Sequence, residues 1–169
     1  KEQLDEFIKN NDYEIEIEVI DDGNHILNTG GGILNLISKT TEENFLIFNP
    51  DTIWKNDYSK EINLMIELYF VKKLKNMLLL VDKNLSFDKD LVGDFGLDNY
   101  LVNQISKDYI YTGCQIINRS IFKKEIITNF PITKIWFNLI KKKQLHGFKS
   151  KLDFYHVTDL NIFNKLKGL

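Results

Sequence analysis

The sequence predicts an α/β fold, and three observations carry that prediction. Strand-like and helix-like patterns alternate along the chain. Two short apolar runs, Phe45-Leu46-Ile47-Phe48 and Met77-Leu78-Leu79-Leu80-Val81, read as strands buried on both faces. The stretches between and after them repeat apolar residues three and four apart, the spacing of helices that cover a sheet. At 169 residues, with 43% hydrophobic and 27% charged positions, the chain has the length of one domain, residues 1–169, and a globular composition.

The elements follow in order. Leu4, Phe7 and Ile8 share a helical face, and Asn10-Asn11 ends that helix. Glu14-Ile15-Glu16-Ile17-Glu18-Val19-Ile20 alternates strictly, which predicts a strand with one wet face. A polar loop from Asp21 leads to Asn28-Thr29-Gly30-Gly31-Gly32, and Ile33, Leu34, Leu36 and Ile37 then predict a short buried helix. Phe45–Phe48 is expected in the middle of a covered parallel sheet. Ile62, Met65, Ile66, Leu68, Tyr69 and Val71 predict a long amphipathic helix before the buried strand Met77–Val81. Residues 83–109 read as hairpin-like strands and turns, punctuated by Gly93, Gly96 and Asp-Asn pairs. Tyr109–Ile117 predicts a strand interrupted by Gly113, where a ligand or another backbone can come close. Ile132, Ile135, Trp136, Leu139 and Ile140 predict a helix whose Lys141-Lys142-Lys143 end suits the helix dipole. Phe154–Val157 and a last helix with Asp159 as N-cap close the chain.

Composition narrows the function classes. A net charge of −2 gives no general attraction to nucleic acid, and Arg119 is the only arginine. The single cysteine, Cys114, makes neither an internal disulfide nor a thiolate cluster for zinc, so a cytoplasmic location is the default expectation. No apolar run approaches the ~20 residues needed to cross a bilayer, so no membrane partner is expected. The chain opens in helical rhythm, with no Met and no leading strand, which is expected of a fragment that starts within a domain. An open sheet edge left by such a truncation invites self-pairing into a homo-oligomer.

Two features carry chemistry. A glycine cluster at a helix start offers backbone N–H groups to an anion or a polar ring. An apolar strand ending at Asn49-Pro50-Asp51 delivers a carboxylate at its C-terminal end, where open α/β sheets place metal ligands. Both have plainer explanations: three glycines satisfy a tight helix entry, and Asp after Pro commonly starts a turn. The cluster also lacks the third glycine of a dinucleotide fingerprint, and no Gly-Lys-Ser/Thr follows it. His156, near a strand end and flanked by Tyr155 and Val157, reads more readily as a core or edge residue than as a ligand, and Cys114 as a small buried residue.

Taken in order, these motifs resemble a known family. Leu27-Asn28-Thr29-Gly30-Gly31-Gly32-Ile33 followed by Phe48-Asn49-Pro50-Asp51-Thr52-Ile53-Trp54 resembles the Glu-Thr-Gly-Gly-Gly-Ile and Asn-Ser-Asp-Thr-Ile-Trp pattern of sugar-1-phosphate nucleotidyltransferases. The branch is the one that is mannose-1-phosphate guanylyltransferase-like or N-acetylmuramate-1-phosphate uridylyltransferase-like. Leu79–Asp82, Gly93–Phe95, Tyr111–Gly113, Lys134–Trp136 and Phe154–Val157 continue the resemblance over nearly the whole chain. It implies a Rossmann-like three-layer α/β/α fold with a mixed sheet, lacking its first βαβ segment. It implies partners too, a nucleoside triphosphate and a sugar 1-phosphate, joined with release of pyrophosphate, and Mg²⁺ as cofactor.

By this resemblance Asp51 holds the metal and is the catalytic carboxylate, and Asn28, Thr29, Gly30, Gly31 and Gly32 contact the nucleotide. Gly113 lies against the sugar, and Asp94 and Lys134 serve the sugar-phosphate end. Two departures stand out. The family's Leu-Ala-Ala-Gly-x-Gly-x-Arg signature, which grips the triphosphate, has no counterpart here, so the chain alone is expected to be inactive. Where many members carry a second metal-binding Asp, this chain has His156. Imidazole is a poor Mg²⁺ ligand, which leaves His156 as a weak metal ligand, a phosphate contact, or a position replaced by Asp153 or Asp159. A nucleotide-sugar glycosyltransferase and a non-catalytic binding module of similar fold are the alternative readings.

Overall fold

The structure, a computed structural model, describes residues 2–168. The chain divides into two compact units. The first contains the residues through Thr41 together with Glu125–Lys134; the second contains Glu42–Lys124 and the residues from Ile135 onward.

The second unit holds the sheet. Its strands are β1 (Asn44–Phe48), β2 (Asn76–Asp82), β5 (Tyr109–Asn118) and β6 (Gly147–Ser150), in the order β1-β5-β2-β6. The β1–β5 and β5–β2 pairs are antiparallel and β2–β6 is parallel, so the sheet is mixed. A short hairpin of β3 (Gly96–Asp98) and β4 (Leu101–Asn103) lies apart from it, as the hairpin pattern of 83–109 predicts.

Side-chain alternation along β5 sorts the core into two layers. Cys114 and Ile116 join Met77 and Leu79 against Tyr58, Met65 and Tyr69 of α3 (Tyr58–Val71). Gln115, on the opposite face, accepts a hydrogen bond from the Trp136 indole of α4 (Thr133–Lys141) at 3.2 Å. A helix on each face of the sheet gives the three-layer arrangement that the resemblance implies. The unbroken apolar run of β2 is buried throughout, as a central strand with both faces covered requires. Asp159 caps α5 (Leu160–Leu166), accepting from the Ile162 N–H at 2.8 Å.

β1 corrects one expectation. Among the described residues it is an edge strand paired only with β5, antiparallel, and its exposure alternates, with Leu46 and Phe48 about two-fifths exposed. A short apolar run does not reveal how many neighbours a strand has, because pairing is set by distant residues.

The first unit contains α1 (Glu2–Lys9) and α2 (Asn28–Ser38). A second correction falls here: residues 14–20 form no strand, and Ile15 is exposed. Alternation supplies a dry face, but a strand also needs backbone partners, and among the described residues none pairs with this segment. The glycines lie within the first turns of α2 rather than ahead of it.

Candidate active site around Asp51

β5 carries a defect that shapes the site. Its register against β2 shifts between Leu78 and Leu80, leaving Thr112, Gly113 and Cys114 opposite Leu79 alone. The Thr112 hydroxyl mends the break, donating to the Leu79 carbonyl at 3.0 Å and accepting from the Cys114 N–H at 3.3 Å. Gly113 takes φ +90°, a left-handed conformation that favours glycine. A Cβ there would come within 2.9 Å of the Asn49 Cβ and 3.2 Å of the Thr52 hydroxyl. The glycine therefore lets the 49–52 turn close onto the bulge. Two bonds hold that turn: Asn49 N–H to Gly113 O at 2.8 Å, and the Thr52 hydroxyl to Thr112 O at 2.8 Å.

Asp51 rides on this turn with its side chain 47% exposed. Its backbone is locked from the other side by residues 154–157: Val157 N–H donates to Asp51 O at 2.8 Å, and Ile53 N–H to Tyr155 O at 2.9 Å. Thr52 and His156 form the bridge between these two bonds. His156 Nδ1 stands 3.7 Å from Asp51 Oδ1, within ion-pair range but beyond hydrogen-bonding distance, and it is buried without a partner. The His156 ring stacks on Phe154, with centroids 5.7 Å apart and planes 10° apart.

Asp94 Oδ2 accepts the Tyr111 N–H at 2.9 Å. Although exposed, Asp94 is hemmed in enough that desolvation raises its carboxyl above the usual range, opposed by the Tyr111 amide and by the charges of Lys107 and His156. Tyr111 has a buried hydroxyl with no hydrogen-bond partner, and its ring meets Trp136 edge-on at 4.8 Å. Burial raises its phenol far above the ordinary value, and Cys114 and Asp51 push the same way. The Gln115 side chain acts in the opposite sense. Sequence reasoning passed over Tyr111 and Thr52; the Tyr111-Thr112-Gly113 match drew attention to the glycine alone. Cys114 is buried, its thiol pushed up to about 12 by burial, as suits an inert core residue.

Asp51, Gly113, Asp94 and His156 thus gather around the bulge in the middle of β5, in the second unit. The other candidates belong to the first. The Gly30 and Gly31 N–H groups both donate to the Phe130 carbonyl, at 2.9 and 3.2 Å, so these donors are already engaged. A Cβ on Gly30 would strike the Phe130 ring, and one on Gly31 the Thr128 carbonyl. The two glycines thus seat α2 against residues 128–130. Asn28 and Thr29 remain exposed, with the Thr29 hydroxyl accepting from the Ile132 N–H at 3.1 Å. Lys134 gives its ammonium to Glu125 at 2.6 Å and lies over the Phe130 ring.

For a metal, no group of three or more His, Cys, Asp or Glu among the described residues is arranged to hold one. Asp159 is committed to its helix cap. A single open carboxylate still fits Mg²⁺, which binds one or two carboxylates and fills its shell with water and phosphate oxygens.

Comparison with known proteins places this architecture in a class. No family model and no curated protein matches the chain. Among solved structures, HddC from Yersinia pseudotuberculosis matches with a TM-score of 0.69 at 21% identity, over 97% of this chain and 71% of its own; one of its crystal structures is complexed with GMP-PN. UDP-glucose pyrophosphorylase complexed with UDP-glucose matches with a TM-score of 0.65 at 16% identity, over 85% of this chain and 62% of its own. A Bacillus anthracis protein assigned as a glucose-1-phosphate thymidylyltransferase matches with a TM-score of 0.63 at 16% identity, over 89% and 63%. The chain has the fold of the sugar-1-phosphate nucleotidyltransferases. At these identities the likeness is one of fold. No described helix is long and apolar enough to cross a membrane.

Proposed function

We propose that this chain is part of a nucleotidyltransferase that joins a sugar 1-phosphate to a nucleoside triphosphate and releases pyrophosphate. The observation that carries the reading is Asp51: an exposed carboxylate just past β1, on a turn whose backbone is bonded to Val157 on one side and to the Gly113 bulge on the other, in a fold shared with enzymes of this class. In the reaction an oxygen of the sugar phosphate attacks the α-phosphorus in line, and pyrophosphate leaves from the opposite side. Catalysis then consists of positioning and charge neutralisation.

Asp51 would hold Mg²⁺, which when bound supplies positive charge to the phosphate oxygens. Gly113, lacking a side chain at the bulge, would serve the site by letting the turn that carries Asp51 pack close, and Asp94 has a carboxylate oxygen to spare for a sugar hydroxyl. Asn28 and Thr29 are the exposed positions of the helix start that remain for a nucleotide. The engaged N–H groups of Gly30 and Gly31 weigh against a phosphate cradle there. Lys134, paired with Glu125, would need to leave that partner to meet a phosphate. The cytoplasmic expectation belongs with this reading, because nucleoside triphosphates are made and spent there.

Calorimetric titration of the full protein with UTP and GTP tests the metal role. Binding should weaken at least ~10-fold without Mg²⁺, and Asp51→Asn should remove that dependence. Equal binding with and without the ion would reject it.

A further inference from the structure

His156 stands where a metal ligand would be expected, yet its surroundings suit another task. The backbone around it is pinned on both sides, by the Asp51–Val157 and Ile53–Tyr155 bonds and by the pairing of Phe154 with Leu85 and Phe87. The ring plane is fixed by stacking on Phe154. Held this way, Nδ1 is buried, has no partner and faces Asp51 Oδ1 at 3.7 Å. A shift of about 0.8 Å would complete a hydrogen bond. A buried donor left unpaired is costly, so there is a drive to close that gap. The nearby alternative acceptor, Asp94, already has one oxygen on the Tyr111 N–H.

We propose that His156 is a positioning residue for Asp51: it donates its Nδ1–H to Oδ1 and so leaves Oδ2 turned toward a divalent cation. This rests on the reading of Asp51 as the metal-binding carboxylate. Histidine and carboxylate pairs of this kind fix the orientation of a ligand from behind. The arrangement requires the neutral imidazole to carry its proton on Nδ1. A metal-binding or proton-accepting Nδ1 would present a lone pair there instead.

Long-range ¹H–¹⁵N spectra of the full protein at about pH 8, where an ordinary imidazole is neutral, separate these cases. The proposal expects His156 in the Nδ1–H form, unchanged on adding Mg²⁺, with the Nδ1–H signal shifted in Asp51→Asn. Manganese binding, read by electron paramagnetic resonance, should weaken about 10–100-fold in His156→Leu. His156→Asn, which keeps a donor near the Nδ1 position, should recover most of it and also guards against a folding defect in the leucine variant. An unprotonated Nδ1, a metal-induced change of its ¹⁵N shift, or His156→Leu binding manganese as wild type would each overturn the proposal. Failure of the Asp51 reading looks different: manganese binding unaffected by Asp51→Asn while the Nδ1–H tautomer persists.

Discussion

At the scale of single residues, the ground beneath Asp51 is defined by polar groups with unmet bonds. The Tyr111 hydroxyl is buried without a partner, an arrangement that costs about 1–3 kcal/mol. Removing the hydroxyl should relieve that cost, so Tyr111→Phe is expected to leave the melting temperature unchanged or raise it. A loss above ~1 kcal/mol in thermal denaturation would mean that the hydroxyl has a partner in solution. Asp94 offers a pH signature. Its folded-state carboxyl is raised above the unfolded value, so its contribution favours folding below the unfolded value and is lost as pH rises through the folded one. Asp94→Asn keeps an acceptor for the Tyr111 N–H without the charge. It should therefore raise Tm at neutral pH, with the gain vanishing below the ordinary aspartate range. A gain that persists in acid would contradict the burial argument. The Asp51 end of β1 was legible in the sequence because an apolar run stopping at Pro50-Asp51 is a local pattern. His156 as a neighbour of Asp51 was legible only through the family resemblance and in no local pattern, because the bridge between Thr52 and His156 joins residues distant along the chain.

At the scale of elements, α2 shows how a conspicuous motif can serve packing. Its glycines sit in the helix, where exchange for alanine ordinarily gains up to ~1 kcal/mol. At Gly31 that gain is outweighed, because the new methyl would be driven into the Thr128 backbone carbonyl, and overpacking costs about 1–3 kcal/mol or more. At Gly32 a Cβ would meet only the Asp22 carboxylate, at 3.4 Å. Denaturant unfolding should therefore show Gly31→Ala destabilised and Gly32→Ala neutral or stabilised. Equal effects would contradict the close seat on residues 128–130. The elements read best from sequence were those whose signals are local: the buried run of β2, the apolar spacing of α3 and α4, and the Asp159 cap. The missing strand at 14–20 and the edge position of β1 depend on partners that no local pattern specifies.

At the scale of the molecule, α/β character followed from the alternation of elements and the mixed sheet from the family resemblance, but the division into two units followed from neither. Residues 125–134 join the first unit through Phe130 and Thr128, contacts that span about 100 positions of sequence. Within the second unit, the bulge at Gly113, the 49–52 turn and the 154–157 segment converge to present Asp51. The central claim is that this convergence builds a site for nucleotidyl transfer. Pyrophosphate release by the full protein, supplied with Mg²⁺, a nucleoside triphosphate and a panel of sugar 1-phosphates, tests it most directly. The account predicts release that depends on the sugar phosphate and falls about 100-fold or more in Asp51→Asn. Release at the wild-type rate in Asp51→Asn would contradict it.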